Sequence, residues 1–140
     1  MRLALGLGCD RGTPASTIAQ AITEALAALA ANPAAKPADV VAVASIDLKA
    51  DEPGLAAVAA QYGWQIRFYP AAELAVVPVP NPSETVRRYT GTPSVAEAAA
   101  LLVSGLDAAC LSIEKHKLRG PDGRNATVSV VTFPPERLFA

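Results

Sequence analysis

A cysteine and an aspartate each follow an apolar stretch of the chain, and both side chains could do chemistry. Cys9 stands between the stretch Arg2–Gly8 and a predicted helix. A thiol near the amino terminus of a helix can have a lowered pKa and act as a nucleophile. Asp47 follows the stretch Val40–Ile46, where a carboxylate could serve as a general acid or base. The alternatives are a small buried residue for Cys9 and a residue of a helix cap for Asp47.

Cationic side chains occur near the same stretches and could hold an anion. Arg11, Lys49 and Lys115 stand at or near the predicted carboxyl ends of strands, and the amino termini of helices also attract negative charge. Ordinary solvated side chains are the equally simple interpretation. His116 has neither a second histidine nor a spaced triad partner, so we expect it to be an exposed residue at the end of a strand.

Five apolar stretches, with helices between the first four, must position these residues. Alternating or β-branched runs predict strands at 2–8, 40–46, 65–69, 109–117 and 126–132. Strands that alternate with helices indicate a three-layer α/β fold, a mainly parallel five-stranded sheet with helices on both faces. Right-handed crossovers favour the strand order 3-2-1-4-5, with the last strand antiparallel. The length of 140 residues fits a single domain.

Capping signals mark where the helices begin. Thr13 is predicted to cap the first helix and Asp51 the second. Ser94 is predicted to cap a later helix, where Glu97 completes the spacing of a capping box. A further short helix is predicted over Ser83–Tyr89. The starts at Thr13, Asp51 and Ser83 are also places where backbone N–H groups could receive an anion.

The predicted topology brings the polar loops to one edge of the sheet. The loops at 9–13, 47–53 and 76–83 would lie there together with the end of the fourth strand. Open α/β sheets bind ligands at this edge, at the point where the strand order reverses, so we expect a binding site there. The glycines of Gly6-x-Gly8-x-x-x-Gly12 match a dinucleotide fingerprint only weakly, because no acidic residue ends the second strand at the required spacing.

Composition argues against several classes of function. A net charge of −1 does not favour binding to nucleic acid or to an acidic membrane surface. Two cysteines and one histidine cannot form a Cys/His zinc cluster, so we expect neither a metal nor a cofactor. The apolar runs are too short for a membrane span, and Met1 leads directly into the first strand. We therefore expect a cytoplasmic protein.

Three longer motifs carry a family resemblance. They are GLGCDRGTP, SIDLKADEPGL and VPNPSETVRRYTGTPSVAEAAALL, and their most specific parts are Ile46–Lys49 and Asn81–Ser83. The segment Ile113–Lys117 surrounds the lysine of the fourth strand, and the turn RGPDGRN follows it. In order and spacing, over nearly the whole chain, these motifs resemble the CobE family and the C-terminal domain of CbiG, which are cobalamin biosynthesis proteins.

The resemblance implies a role in building the corrin ring of vitamin B12. CbiG of the anaerobic route opens a ring lactone on a cobalt-precorrin and releases an aldehyde, and it has additional N-terminal regions that this sequence lacks. A free-standing domain resembles CobE of the aerobic route. The hydrolase activity is not carried over to this chain, because the additional regions of CbiG could hold the essential groups. The implied partner is a corrin or precorrin tetrapyrrole, with other enzymes of the cobalamin pathway as further partners.

A corrin precursor is a broad, flat ring fringed with acetate and propionate carboxylates, so its site needs a wide cleft with several groups that hold anions. Arg11, Lys49 and Lys115 could hold the carboxylates, together with the helix starts at Thr13, Asp51 and Ser83. Asn81 and Ser83, on a stiff proline-rich loop, could hydrogen-bond the rim. The candidate ligand-binding residues are Cys9, Asp10, Arg11, Gly12, Thr13, Asp47, Lys49, Asp51, Glu52, Asn81, Ser83 and Lys115, and the candidate catalytic residues are Asp47 and Cys9.

Three functions are compatible with this sequence. The first is a protein that binds a corrin precursor and carries it, protects it or hands it over without changing it. The second is an enzyme that opens a lactone or performs a related hydrolysis with Asp47 or Cys9. The third is an interaction module that organises pathway enzymes and binds no corrin.

Overall fold

A computed structural model describes residues 1–83 and 94–135. Within these residues, five strands form one sheet: β1 Leu3–Cys9, β2 Val40–Ile46, β3 Ile66–Tyr69, β4 Leu111–Arg119 and β5 Asn125–Thr132. The helices are α1 Ala15–Ala27, α2 Pro53–Tyr62, α3 Ala71–Ala75 and α4 Val95–Ser104. Short 3-10 turns occur at Pro37–Asp39, Asp47–Lys49 and Ala108–Cys110. None of the described helices is long and apolar enough to cross a membrane.

The strand order is β3-β2-β1-β5-β4. The strands β1, β2 and β3 pair in parallel, and β5 runs antiparallel to both of its neighbours, β1 and β4. The predicted α/β class and the antiparallel last strand are therefore confirmed. The predicted order 3-2-1-4-5 is wrong in its last two places, because β5 lies inside the sheet and β4 forms the edge.

The composition of the two strands explains this exchange. Val128, Val130 and Val131 of β5 are fully buried, as a strand covered on both faces requires. In contrast, β4 has charged residues at Glu114 and Lys115 and continues with further cationic side chains. Charged side chains are typical of edge strands, where they discourage pairing with another chain.

The helices cover both faces of the sheet, as predicted. On one face, α1 and α2 pack on the leucines Leu3, Leu5 and Leu7 of β1. On the other face, α3 and α4 pack on the sheet, and the residues that β1 presents there are small. The alternation of large and small residues in LALGLG therefore assigns each face of β1 to a different layer.

Gly6 allows α4 to approach β1 very closely. A Cβ atom built on Gly6 would overlap the carbonyl oxygen of Ala96 and would stand only 2.7 Å from the amide nitrogen of Ala100. Both atoms belong to the helix backbone, which a side-chain rotation cannot move away. The glycines of β1 therefore serve close helix packing, which accounts for the weak dinucleotide pattern in the sequence.

The helix ends agree with the sequence at the carboxyl termini and differ at some amino termini. Gly63 and Gly105 end α2 and α4 with φ angles of 73° and 71°, as expected for glycine at these positions. Pro14 and Glu52, rather than Thr13 and Asp51, are the N-cap residues of α1 and α2.

At α4 the predicted cap position is correct, but its hydrogen bonds are not formed. Ser94 occupies the N-cap without a side-chain capping bond. Glu97 stands at the expected spacing and is fully buried instead of reaching back to the cap. Of the helix predicted over Ser83–Tyr89, residues 84–89 lie outside the described residues.

Candidate functional site

A pocket of about 580 Å³ opens at the carboxyl edge of the sheet. Its walls come from the end of β1, the turn after β2, the start of α4 and the facing parts of β4 and β5. This is the edge at which the sequence predicts a ligand, since β1 and β2 end here in parallel. The lining residues are Gly8, Cys9, Asp10, Arg11, Ile46, Leu48, Lys49, Ser94, Val95, Ala96, Lys115, Lys117, Asn125 and Thr127.

Three of the four lysines of the chain line this pocket, namely Lys49, Lys115 and Lys117. Lys115 donates a hydrogen bond to the backbone oxygen of Asn81 at 3.2 Å, and its Nζ lies 3.8 Å from Oε1 of Glu97. Among residues 1–83 and 94–135, the lining also includes Arg11 and one carboxylate, that of Asp10. Positive charge therefore exceeds negative charge on this described part of the pocket wall.

Asp10 is occupied by the strand beside it. Its Oδ2 accepts hydrogen bonds from the backbone N–H of Asn125 at 2.8 Å and from Nδ2 of the same residue at 3.0 Å. Its backbone oxygen accepts the hydroxyl of Thr13 at 2.7 Å. These bonds join the loop after β1 to the start of β5. Asp10 and Thr13 therefore stabilise the position of the loop at the pocket.

Arg11 is anchored to the loop that precedes α2. Its Nη1 donates to Oδ1 of Asp51 at 2.7 Å and to Oε1 of Glu52 at 3.3 Å, while Nη2 donates to the backbone oxygen of Leu48 at 2.5 Å. The hydrogen bond from Arg11 and its positive charge hold the pKa of Asp51 below its usual range. The predicted anion-holding role of Arg11 must therefore compete with two carboxylates.

The buried carboxylate of Glu52 joins the same two loops by hydrogen bonds. The residue is 3% exposed, and both of its carboxylate oxygens accept from the backbone N–H of Gly12 at 3.2 Å. Gly12, Thr13, Asp51 and Glu52 do not contribute to the pocket lining. Their polarity stabilises the loops that carry Cys9 and Lys49.

Cys9 lies on the pocket wall and is partly buried. Burial raises the pKa of the thiol to about 11, and the nearby charge of Lys49 offsets only part of this effect. A thiol with this pKa is protonated near neutral pH, which disfavours a nucleophilic role because the thiolate is the reactive form.

Asp47 begins the 3-10 turn Asp47–Lys49 and is exposed. It is not among the pocket-lining residues, whereas Lys49 from the same turn is. The turn thus presents a cation to the pocket, and the candidate general acid or base lies outside its wall.

Asn81 connects the proline-rich loop to α4 and β4. Its Nδ2 donates to Oε2 of Glu97 at 2.8 Å and to Oε1 of Glu114 at 3.1 Å. Ser83, two residues later, is half-buried, and neither residue lines the pocket. The structure therefore places Asn81 in a network that positions Lys115.

The sequence reasoning missed Ser94, Lys117, Asn125 and Thr127, which all line the pocket. Asn125 and Thr127 belong to β5, which was predicted at the sheet edge and not beside β1. Lys117 follows Lys115 by two residues, so the two side chains share a face of β4. This two-residue period is the sequence signal from which Lys117 could have been predicted beside Lys115.

His116 faces the opposite side of β4 and does not belong to the pocket. Its Nε2 lies 2.8 Å from Oε1 of Glu24 on α1, and this hydrogen bond holds the pKa of Glu24 below its usual value. The side chain is 28% exposed. The expectation of an exposed histidine at a strand end is therefore wrong, because His116 is part of the contact between α1 and the sheet.

Comparisons with known proteins agree on one pathway. The family described as Cobalamin synthesis G C-terminus matches residues 3–131. The chain is 41% identical over 132 residues to a cobalt-precorrin-5A hydrolase of Priestia megaterium, covering 94% of this chain and 32% of that protein. It is also 40% identical over 108 residues to protein CobE of a Sinorhizobium species, covering 76% of this chain and 68% of that protein. The chain thus spans about a third of the length of the hydrolase.

Two solved structures share the fold. The crystal structure of CobE, a protein from the cobalamin (vitamin B12) biosynthetic pathway, matches with a TM-score of 0.67 and 28% identity, covering 96% of this chain and 93% of that one. The cobalamin biosynthesis protein chiG of Agrobacterium tumefaciens matches with a TM-score of 0.59 and 24% identity, covering 94% and 99%. The second match supports the architecture alone.

Proposed function

The chain belongs to the cobalamin synthesis G C-terminus family of cobalamin biosynthesis proteins, and on this premise we propose that it binds a corrin-ring precursor in the pocket at the carboxyl edge of the sheet. We propose further that it acts as a carrier or chaperone that protects the precursor or hands it to an enzyme of the aerobic pathway, in the cytoplasm. The precursor would be bound chiefly through its acetate and propionate carboxylates.

The observation that carries this proposal is the gathering of Lys49, Lys115 and Lys117 on one pocket wall. Hydrogen bonds between an ammonium group and a carboxylate are stronger than those between neutral groups, and several of them around a ring would combine affinity with orientation. The apolar part of the lining, from Ile46, Leu48 and neighbouring residues, suits the face of the ring.

Catalysis by the two candidate residues is less well supported than binding. The thiol of Cys9 is protonated near neutral pH, and Asp47 is exposed outside the pocket wall. The name of the Priestia hydrolase describes a protein of which this chain matches about a third. Lactone hydrolysis therefore stands second to binding, on the 41% identity to that enzyme.

A single experiment separates the three functions. The full chain is mixed with corrins that carry free acetate and propionate side chains, hydrogenobyrinic acid without cobalt and cobyrinic acid with cobalt, and with lactone-bearing precorrins. The visible spectrum and the mass of each corrin are followed.

Binding without turnover is expected to shift the spectrum at unchanged mass. A change in the mass of the corrin would overturn the carrier proposal and show that the chain is an enzyme. No spectral change with any corrin would overturn the proposed function and leave the interaction module.

A further inference from the structure

The start of α4 holds a buried hydroxyl group without a partner. Ser94 is 1% exposed, and within residues 1–83 and 94–135 its Oγ makes no hydrogen bond. Ser94 is at the same time a residue of the pocket wall. A buried polar atom without a hydrogen-bond partner lowers the stability of the fold. Its presence at the wall of a pocket therefore points to a ligand that supplies the missing hydrogen bond.

The backbone at the same place is also ready to donate. Val95 and Ala96 line the pocket beside Ser94, and their N–H groups belong to the first turn of a ten-residue helix, where no partner exists within the helix. Among the described residues their amides donate no backbone hydrogen bond. The positive end of the helix dipole lies at this turn and favours a negative ligand.

We propose that Ser94 and the first-turn amides of α4 form a subsite for one carboxylate of the ligand, of the acetate or propionate type. The subsite rests on the proposed function for the identity of the whole ligand, but its chemistry can be tested with a small carboxylate alone. The Ser94 hydroxyl and the amides donate to the carboxylate oxygens, and Lys49 and Lys117 supply positive charge on the same pocket wall.

Two carboxylates could oppose this subsite: that of Asp10 on the pocket wall, which accepts from Asn125, and that of Glu97 in the same first turn. Oε2 of Glu97 accepts from Asn81 at 2.8 Å, and its Oε1, which is buried without a hydrogen-bond partner, lies 3.8 Å from Nζ of Lys115. Because Glu97 makes these contacts and does not cap the helix, the first-turn amides remain available. Gly8 adjoins this wall, and a Cβ there would stand 2.5 Å from Oγ1 of Thr127 and in ordinary contact with Val95, at 4.0 Å from its Cβ.

The test is a titration of the ¹⁵N-labelled full chain, followed by NMR, with propionate and separately with propionamide, its neutral counterpart. Propionate is expected to cause saturable shifts at the amides of Ser94, Val95 and Ala96, and propionamide is not. Equal shifts with both compounds, or no saturable shift at these amides with propionate, would overturn the proposal.

Two variants test the role of the hydroxyl. Ser94→Ala removes one donor and should weaken propionate binding about tenfold. Ser94→Asp keeps a good N-cap residue and places its own carboxylate on the amides, so binding should be abolished. Gln65→Glu adds the same charge just before β3, on the opposite edge of the sheet, and should bind propionate like the unmodified chain. Unchanged affinity in Ser94→Ala would overturn the role of Ser94.

The subsite and the proposed function fail in different ways. If corrin acids do not bind but propionate still shifts the three amides, the proposed function is wrong and the subsite stands. If corrin acids bind without affecting these amides, the subsite is wrong and the proposed function stands.

Discussion

At the scale of single residues, the lysines on the pocket wall carry the proposed specificity. Replacing Lys49 or Lys117 with Gln should weaken the binding of cobyrinic acid about tenfold each, because a charge-assisted hydrogen bond is replaced by a neutral one. A spectral titration measures the affinity. Lys36→Gln is the matched control, since Lys36 is exposed and lies outside the pocket lining. Equal losses in all three variants would assign the effect to net charge and not to the pocket.

Cys9 gives a prediction with a defined pH dependence. Because burial raises the pKa of its thiol from 9.0 to about 11, the thiolate fraction near pH 7 should be roughly 100-fold below that of an unperturbed thiol. Alkylation by iodoacetamide, followed by peptide mass analysis, should therefore be slow and should accelerate until the pH approaches 11. The same reaction in urea, where the thiol is solvated, should proceed at the ordinary rate. Fast alkylation of the folded protein at pH 7 would restore Cys9 as a nucleophile.

Residue types and positions predict part of the pocket lining. Cys9 is predicted because it follows a strand, and Lys49 and Lys115 because they lie at the carboxyl ends of strands; the structure places all three on the pocket wall. Asp51 and Glu52 are predicted as ligand-binding residues, with helix capping as the alternative. Only the fold shows that they are bonded to Arg11 and Gly12. These pairings join residues 40 positions apart, so the local sequence pattern does not predict them.

At the scale of the elements, the close contact between β1 and α4 predicts that no side chain fits at Gly6. Gly6→Ala should lower the free energy of unfolding by about 3 kcal/mol, because the added Cβ overlaps the helix backbone at Ala96. Urea denaturation measures this change. Gly63→Ala is the comparison: its φ is 73° with no atom within 4 Å of an added Cβ, so it should cost about 1 kcal/mol through conformation alone. A smaller cost at Gly6 than at Gly63 would contradict the packing.

A second prediction at this scale concerns the hydrogen bonds by which Glu52 joins the two loops beside the pocket. Glu52→Gln should destabilise the fold by about 2 kcal/mol, because one of the two oxygens that accept from the Gly12 amide becomes an NH₂ group in a buried place. Asp51→Asn is the matched control, since Asp51 is exposed and its loss should change the denaturation midpoint little. Similar effects of the two substitutions would show that burial of Glu52 is not what matters.

At the scale of the whole molecule, periodicity predicted the elements well and their final arrangement less well. The boundaries of β2 agree with the prediction at both ends, because an uncharged β-branched run has few alternative structures. The exchange of β4 and β5 could not be read from connection rules, which allow a hairpin to enter the sheet by either strand. Relative burial decided it: the valines of β5 are the more apolar set and take the inner position.

The most direct test of the central claim compares two corrins that differ in their fringe. Cobyrinic acid has free acetate and propionate groups, and cobyric acid has the same ring with most of these groups amidated. If the pocket recognises the carboxylates, calorimetry at low salt should show cobyrinic acid binding at least about tenfold more tightly. The difference should narrow as salt is added, because exposed charges are screened. Equal affinity for the two corrins, unchanged by salt, would contradict carboxylate recognition by this pocket.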